Sequence, residues 1–395
     1  MRILQICSKP PYPEKDGYAL AVNHMSKAII AKGHLVKVIA ISTPKHHAKD
    51  VPQEYLAKTE FENLFIDTSV RLIPAFLNLF SSIPYNTKRF YSDEFTNRLK
   101  QIIDKNHFDI ILFEGLFVCP YLDVIKENSN AKLVLRSHNV ESDIWKGIAN
   151  QERNLIKKLY LNLLQKRLLN YEKSIVSKMD AIVCISYNDA SWMQTHTDKS
   201  ISVIPFAINT LNQEVGIENK NTIFHIGSMD WQANIDGINW FLSEVFPLIK
   251  KKKEKVILHL AGSKMPNYFN NLSNENIIID GEVENAKTFM KKHNLMIVPL
   301  LNGSGIRIKI LEAMAMGKTI ISTSIGASGI HYKDKKNILI ADIGVQFANQ
   351  IIWCLENPLE SKKIGENAQL NIRVHYDSEK IAKQLDSVLN KLQAQ

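Results

Sequence analysis

Short apolar blocks recur along the chain, each bounded by polar turn residues and followed by a stretch in which apolar residues return every three or four positions. In the first half the blocks lie at 2–7, 35–41, 109–114, 132–136, 181–186 and 201–208. In the second they lie at 222–227, 256–261, 277–283, 295–300 and 319–323. Blocks rich in Ile, Leu and Val, without a polar alternate face, read as strands buried on both sides. The intervals between them read as crossover helices, so the fold class is α/β with parallel sheets. Helices are predicted over 18–32, 142–178 with a break near Gly147, around Asp189, over 235–250, and near 359–372 and 378–393. In the long one, Ile156, Tyr160, Leu164, Leu168, Tyr171 and Ile175 form the apolar stripe. Arg153, Lys157, Lys158, Lys166, Arg167, Lys173 and Lys178 decorate the remainder. The polar segment Asn209–Asn221 separates the two alternations and reads as a linker.

The chain's 395 residues exceed one ordinary core and fit two domains. The opening Met1-Arg2-Ile3-Leu4-Gln5-Ile6-Cys7 reads as a first strand rather than a signal peptide, and no apolar run has membrane-spanning length. Cys7, Cys119, Cys184 and Cys354 show no CxxC pair, a usage that fits reduced thiols and a cytoplasmic setting. A formal net charge of +9 admits nucleic acid, anionic lipid or a phosphorylated ligand as partner. Zinc-ligand spacing, interleaved aromatic and basic residues and a basic tail are all lacking, so nucleic acid is not expected.

The candidate chemistry centres on Gly303-Ser304-Gly305-Ile306-Arg307-Ile308-Lys309-Ile310-Leu311-Glu312, between the strand at 295–300 and a helix ending at Gly317. Two glycines around Ser304 turn backbone N–H groups outward at a helix start, where the peptide dipoles favour a phosphate or sugar oxygen. Arg307 and Lys309 add positive charge there. Glu312, on the Lys309 face, is placed to accept hydrogen bonds from vicinal hydroxyls such as those of a ribose. A plain turn and a solvated Lys/Glu ion pair are the structural alternatives. Earlier in the chain, Ser8–Asp16 is a proline-rich loop, and Gly17 opens the following helix. His138, in Ser137-His138-Asn139-Val140-Glu141, falls just past a strand end, where doubly wound sheets bind ligands.

These residues resemble the sugar-nucleotide motif of retaining glycosyltransferases of family four, in the Gly-rich Arg-x-Lys variant. The likeness is strongest over 303–330, good over 222–246 and weaker over 136–145. Glu312 matches the second motif glutamate; Ser304 stands where the first would fall, and Ser328 where another glutamate is frequent. The resemblance implies the GT-B arrangement, two Rossmann-like domains facing each other across a cleft. The expected division is an acceptor-side domain over 1–209, a donor domain over 210–376, and a last helix over 377–395 crossing back to the first domain. It implies transfer of a sugar, with retention, from a nucleoside diphosphate to a hydroxyl acceptor in cell-surface polysaccharide or glycolipid synthesis. It places Gly17, Ser228, Glu282, Val283, Gly303, Ser304, Gly305, Arg307, Lys309 and Glu312 around the donor, with the backbone at Glu282 and Val283 against the nucleobase. Arg307 and Lys309 form the cationic clamp, since the 228–234 loop lacks the arginine and lysine common in the family. His138 serves the acceptor side, and the apolar stretch Leu72–Phe80 either borders the acceptor or covers core. No Asp-x-Asp motif occurs, so neither metal nor other cofactor is expected. A GT-B epimerase and a non-catalytic nucleotide-sugar or glycan binder are the alternative readings. Peripheral attachment to the anionic inner face of the plasma membrane through the basic helix is a further expectation.

Overall fold

The central strands of this chain are buried on both faces because successive side chains point to opposite sides and both sides are mostly apolar, while the edge strands Glu62–Phe65, Ser200–Val203 and Ile277–Gly281 are partly exposed. The structure, a computed structural model, describes residues 1–14, 16–81, 83–210, 221–303 and 305–394. Most of the linker segment, residues 211–220, lies outside the described residues. The chain divides into Met1–Ala207 together with Ser378–Gln395, and Ile208–Asp377.

Among the described residues, the first unit holds seven strands: β1 Arg2–Cys7, β2 Leu35–Ser42, β3 Glu62–Phe65, β4 Ile110–Glu114, β5 Lys132–Ser137, β6 Ala181–Cys184 and β7 Ser200–Val203. They pair in the order β3-β2-β1-β4-β5-β6-β7, all parallel. Leu4, Ile6, Ile111, Phe113, Leu133 and Leu135 enter one core. Their neighbours Ile3, Cys7, Ile110, Leu112 and Val134 enter the other, beneath α1 (Gly17–Ala31). The helix Ser378–Gln393 lies on that side as well, burying Ile381, Leu385, Leu389 and Leu392 in the α1 core, and Asp386 meets His34 at 2.7 Å.

Three further helices of this unit matter below: α2 (Leu72–Leu77), α3 (Glu141–Gln151) and α4 (Leu155–Lys178). The helix expected over 142–178 is therefore two helices, and the break falls at 152–154 rather than near Gly147. Asn154 makes it, accepting from the Lys157 N–H with its side chain and so capping α4. The buried face of α4 is Leu161, Leu164, Leu168, Glu172 and Ile175, so the expected stripe is corrected at its start, where Ile156 is exposed.

The second unit holds β8 Thr222–Ile226, β9 Ile257–Ala261, β10 Ile277–Gly281, β11 Leu295–Val298, β12 Thr319–Ser322 and β13 Leu339–Ile340. Their order is β10-β9-β8-β11-β12-β13, again parallel. The helix α5 (Ile308–Ala315) crosses from β11 to β12. It stops in a Schellman turn: Gly317, at φ 70°, donates to the Met314 carbonyl, and Lys318 to that of Ala313. Among the described residues, no helix is long and apolar enough to cross a membrane, and all four cysteines are buried and free.

Candidate active site

In each sheet one pair of neighbouring strands marks where the winding reverses, β1 and β4 in the first unit and β8 and β11 in the second. Ligands of doubly wound sheets bind beyond the carboxyl ends of such a pair.

In the second unit β11 leads into the glycine turn. Gly303 and Gly305 have φ of 115° and 84°, angles that a side chain disfavours, so both positions need glycine; Ser304 lies outside the described residues. A Cβ on Gly303 would come within 2.8 Å of the Trp231 ring and 2.9 Å of the Arg307 guanidinium. Trp231 is carried here by the loop after β8. Arg307 is the N-cap of α5 rather than a residue of its first turn. Its guanidinium sits 4.6 Å from the Trp231 ring centre, and its Nη1 donates to the Gly305 carbonyl at 2.8 Å. Burial lowers its pKa to about 10, which leaves it charged at neutral pH. Lys309 and Glu312 pair at 2.7 Å along one face of the helix. Both cations thus sit at the positive end of the α5 dipole, an arrangement that favours an arriving anion.

Ser228 begins the β8 loop and donates from Oγ to Asp230 at 2.6 Å. The loop itself carries no arginine or lysine, as expected, but Lys264 from the loop after β9 reaches it and pairs with Asp230 at 2.7 Å. Glu282 and Val283 follow the edge strand β10, separated from β11 by β9 and β8. Glu282 is exposed and Val283 half-buried.

The first unit presents a polar stripe under α1. Gln5, Glu114 and Arg136 occupy the same face of β1, β4 and β5, with Glu114 directly opposite Arg136. The Glu114 carboxylate accepts from Gln5 Nε2 at 2.7 Å and from Arg136 Nη1 at 3.2 Å. Its third partner is His138 Nε2, at 2.6 Å. Burial pushes the Glu114 pKa up, but Arg136 and His138 outweigh it and hold the group below its ordinary value. An ionised Glu114 makes Nε2 the protonated nitrogen of His138. Burial lowers the imidazole pKa despite that carboxylate, so the ring is neutral near pH 7 and Nδ1 is its acceptor atom. Tyr18 packs its ring 4.8 Å from His138 and donates to the Glu114 carbonyl at 3.0 Å. Gly17, exposed at the start of α1, is flanked by its cap Asp16, which pairs with Lys9 at 2.7 Å.

The structure therefore brings Gly303, Gly305, Arg307, Lys309 and Glu312 together, and sets Ser228 on the loop that also carries Trp231. Glu114, Trp231 and Lys264 were missed by sequence reasoning. Polar residues inside three largely apolar strands, Gln5, Glu114 and Arg136, were the available signal for Glu114. A second carboxyl also escaped notice. Glu172, in the core face of α4, accepts from the backbone N–H of Glu141 and Ser142 at 2.9 and 3.1 Å. Burial and this neighbour push Glu141 up to about 8.

Two doubly wound units of this kind form the two-domain Rossmann-like GT-B fold. Over residues 16–210 the chain matches the sequence profile described as Glycosyltransferase Family 4, and over 220–357 that described as Glycosyl transferases group 1. The chain is a glycosyltransferase. It is 26% identical over 396 residues to an uncharacterized 44.6 kDa protein in the cps region of Klebsiella pneumoniae, covering 96% of this chain and 97% of that one. To the lipopolysaccharide core biosynthesis mannosyltransferase LpcC of Rhizobium leguminosarum bv. viciae it is 22% identical over 256 residues, covering 60% and 72%. Among solved structures, Anabaena HepE in complex with UDP superposes with a TM-score of 0.65 at 13% identity, covering 99% of this chain and 100% of that one.

Neutralising Glu114 strands the buried Arg136 charge. Glu114→Gln should therefore cost roughly 3–5 kcal/mol of unfolding free energy in a denaturant titration. His138→Ala, which removes a group from the rim of the network, should cost clearly less; equal losses would contradict the hierarchy.

Proposed function

We propose that this glycosyltransferase moves a sugar, with retention at the anomeric carbon, from a nucleoside-diphosphate donor to a hydroxyl of a cell-surface glycan or glycolipid. The observation that carries the reading is the pair of cations, Arg307 and Lys309, at a glycine-opened helix start on the switch point of the second sheet. A diphosphate there meets the helix dipole and both charges, and the same groups stabilise the charge that builds on it as it departs. Lys309, turning to the phosphates, releases Glu312, whose carboxylate then accepts from the ribose hydroxyls. Support comes from the two family profiles, from the UDP held by HepE, and from the cps-region and lipopolysaccharide relatives. Glu282 and Val283 are assigned to the nucleobase and Gly17 to the phosphate side of the first unit. His138 is assigned to the transfer step, its Nδ1 accepting from a hydroxyl. The arginine and lysine supply the positive charge that the diphosphate needs, so the reaction requires no metal.

Removing one charged hydrogen bond costs about 1.5–3 kcal/mol. Arg307→Ala should therefore weaken nucleoside-diphosphate binding by about tenfold or more in calorimetry. Glu312→Ala loses the ribose contact but also frees Lys309, so its loss should be smaller. Unchanged affinity in the folded double variant would refute the assignment. For His138→Ala, the transfer rate should drop much further than diphosphate affinity; a parallel fall in both, or in neither, would make the residue structural. Transfer should also continue in the presence of EDTA, and abolition by chelator with rescue by magnesium or manganese would remove metal independence.

A further inference from the structure

A group of large apolar side chains of the first unit faces solvent, in segments rich in lysine and arginine. Ile73, Phe76 and Leu77 of α2, with Phe80 in the turn after it, face solvent, as do Leu155, Ile156 and Leu159 in the first turns of α4. Their exposures run from 62% at Leu77 to 85% at Phe80. The two groups belong to one surface. Arg167 of α4 donates to the Asn78 carbonyl at 2.9 Å and also to that of Ser81, holding the turn after α2 against the helix. Ile156 and Leu163 stand one helical turn before Tyr160 and Arg167, so the exposed stripe continues the line of that contact. Monomeric proteins rarely leave so many large apolar side chains together in water.

Charge selects the occupant. Segments 67–91 and 146–167 hold nine Lys and Arg against two carboxylates, Asp67 and Glu152, in a chain whose whole net charge is +9. A protein-binding patch is ordinarily depleted in lysine, whereas apolar side chains ringed by lysine and arginine match the boundary between acyl chains and anionic headgroups. Beside α2 lies a cavity of about 590 Å³ whose wall combines Pro74 and Leu77 with Arg71, Lys88 and Arg89. Asp67 pairs with Arg71 at 2.6 Å, which leaves the cavity wall net cationic. Arg89 donates from Nη1 to the Thr68 carbonyl at 3.2 Å, while its buried Nε has no partner among the described residues.

We propose that α2, the turn after it and the start of α4 form a docking surface for an anionic lipid bilayer, with the apolar side chains entering the headgroup boundary and a lipid phosphate seated against Lys88 and Arg89. The attachment proposed here differs from one through the basic face of the long helix alone. Arg167 secures the turn rather than facing lipid, and the contact is apolar as well as basic. Attachment of this kind is independent of the donor chemistry, so it stands or falls separately from nucleotide binding.

The test is co-sedimentation of the full chain with vesicles of phosphatidylcholine alone and of phosphatidylcholine with phosphatidylglycerol. Binding should require phosphatidylglycerol and weaken, without vanishing, as salt shortens the screening length. Phe76→Ser with Phe80→Ser should lower the bound fraction by about tenfold, since each phenylalanine withdraws a large apolar area from water. Their exposure means that the unfolding midpoint and calorimetric diphosphate affinity should stay unchanged. Lys88→Gln with Arg89→Gln should weaken binding to the anionic vesicles; if that variant fails to fold, the phenylalanine pair carries the test. Equal binding to both vesicles, no binding at low salt, or a lipid-free dimer broken by the same phenylalanine substitutions would each overturn the proposal.

Discussion

A parallel sheet wound in two directions must change hands at one strand pair, and beyond the carboxyl ends of that pair no crossover covers the strands. Both units obey this constraint, and the polar chemistry collects where it leaves room. At β8 and β11 the opening is filled by backbone and by the Arg307–Trp231 contact. At β1 and β4 it is filled by the carboxylate of Glu114. Elsewhere the strand interiors are mostly apolar, because helices lie on both faces, and an exception such as Lys37 of β2 is paired with Glu60 and Glu62.

The two openings handle charge differently. Glu114 is fully buried and survives because Gln5, Arg136 and His138 each give it a hydrogen bond; without them a carboxylate at that depth would take up a proton. Its effect reaches outward through His138, whose tautomer it selects. Arg307 meets an aromatic face and a backbone carbonyl, both of which position its guanidinium. The first site therefore uses its charge internally to orient a neutral imidazole.

The apolar surface at α2 and α4 shows a third use of sequence. Its residues repeat at helical spacing, and Ile156 reads as part of a core stripe for that reason. Periodicity reports that a helix has an apolar face; it does not report what lies against that face. In α4 the core takes the face of Leu161, Leu164 and Leu168, and leaves Leu155, Ile156 and Leu159 in solvent.

Local pattern alone determined the parallel α/β class, most strand positions and the strand–turn–helix at Gly303, because burial on both faces and glycine at positive φ are properties of short segments. The break between α3 and α4 was only partly legible. Gly147 was the visible helix breaker, while the actual stop rests on Asn154 capping the next helix. Tertiary structure decided the partners: Trp231 beneath Arg307, Lys264 at the Ser228 loop, and Glu114 behind His138. Each pair joins loops or strands far apart in the chain, and only the order of strands in the sheet brings them within reach. The sheet order is a long-range property, set by which crossovers pack on which face, and no local spacing encodes it.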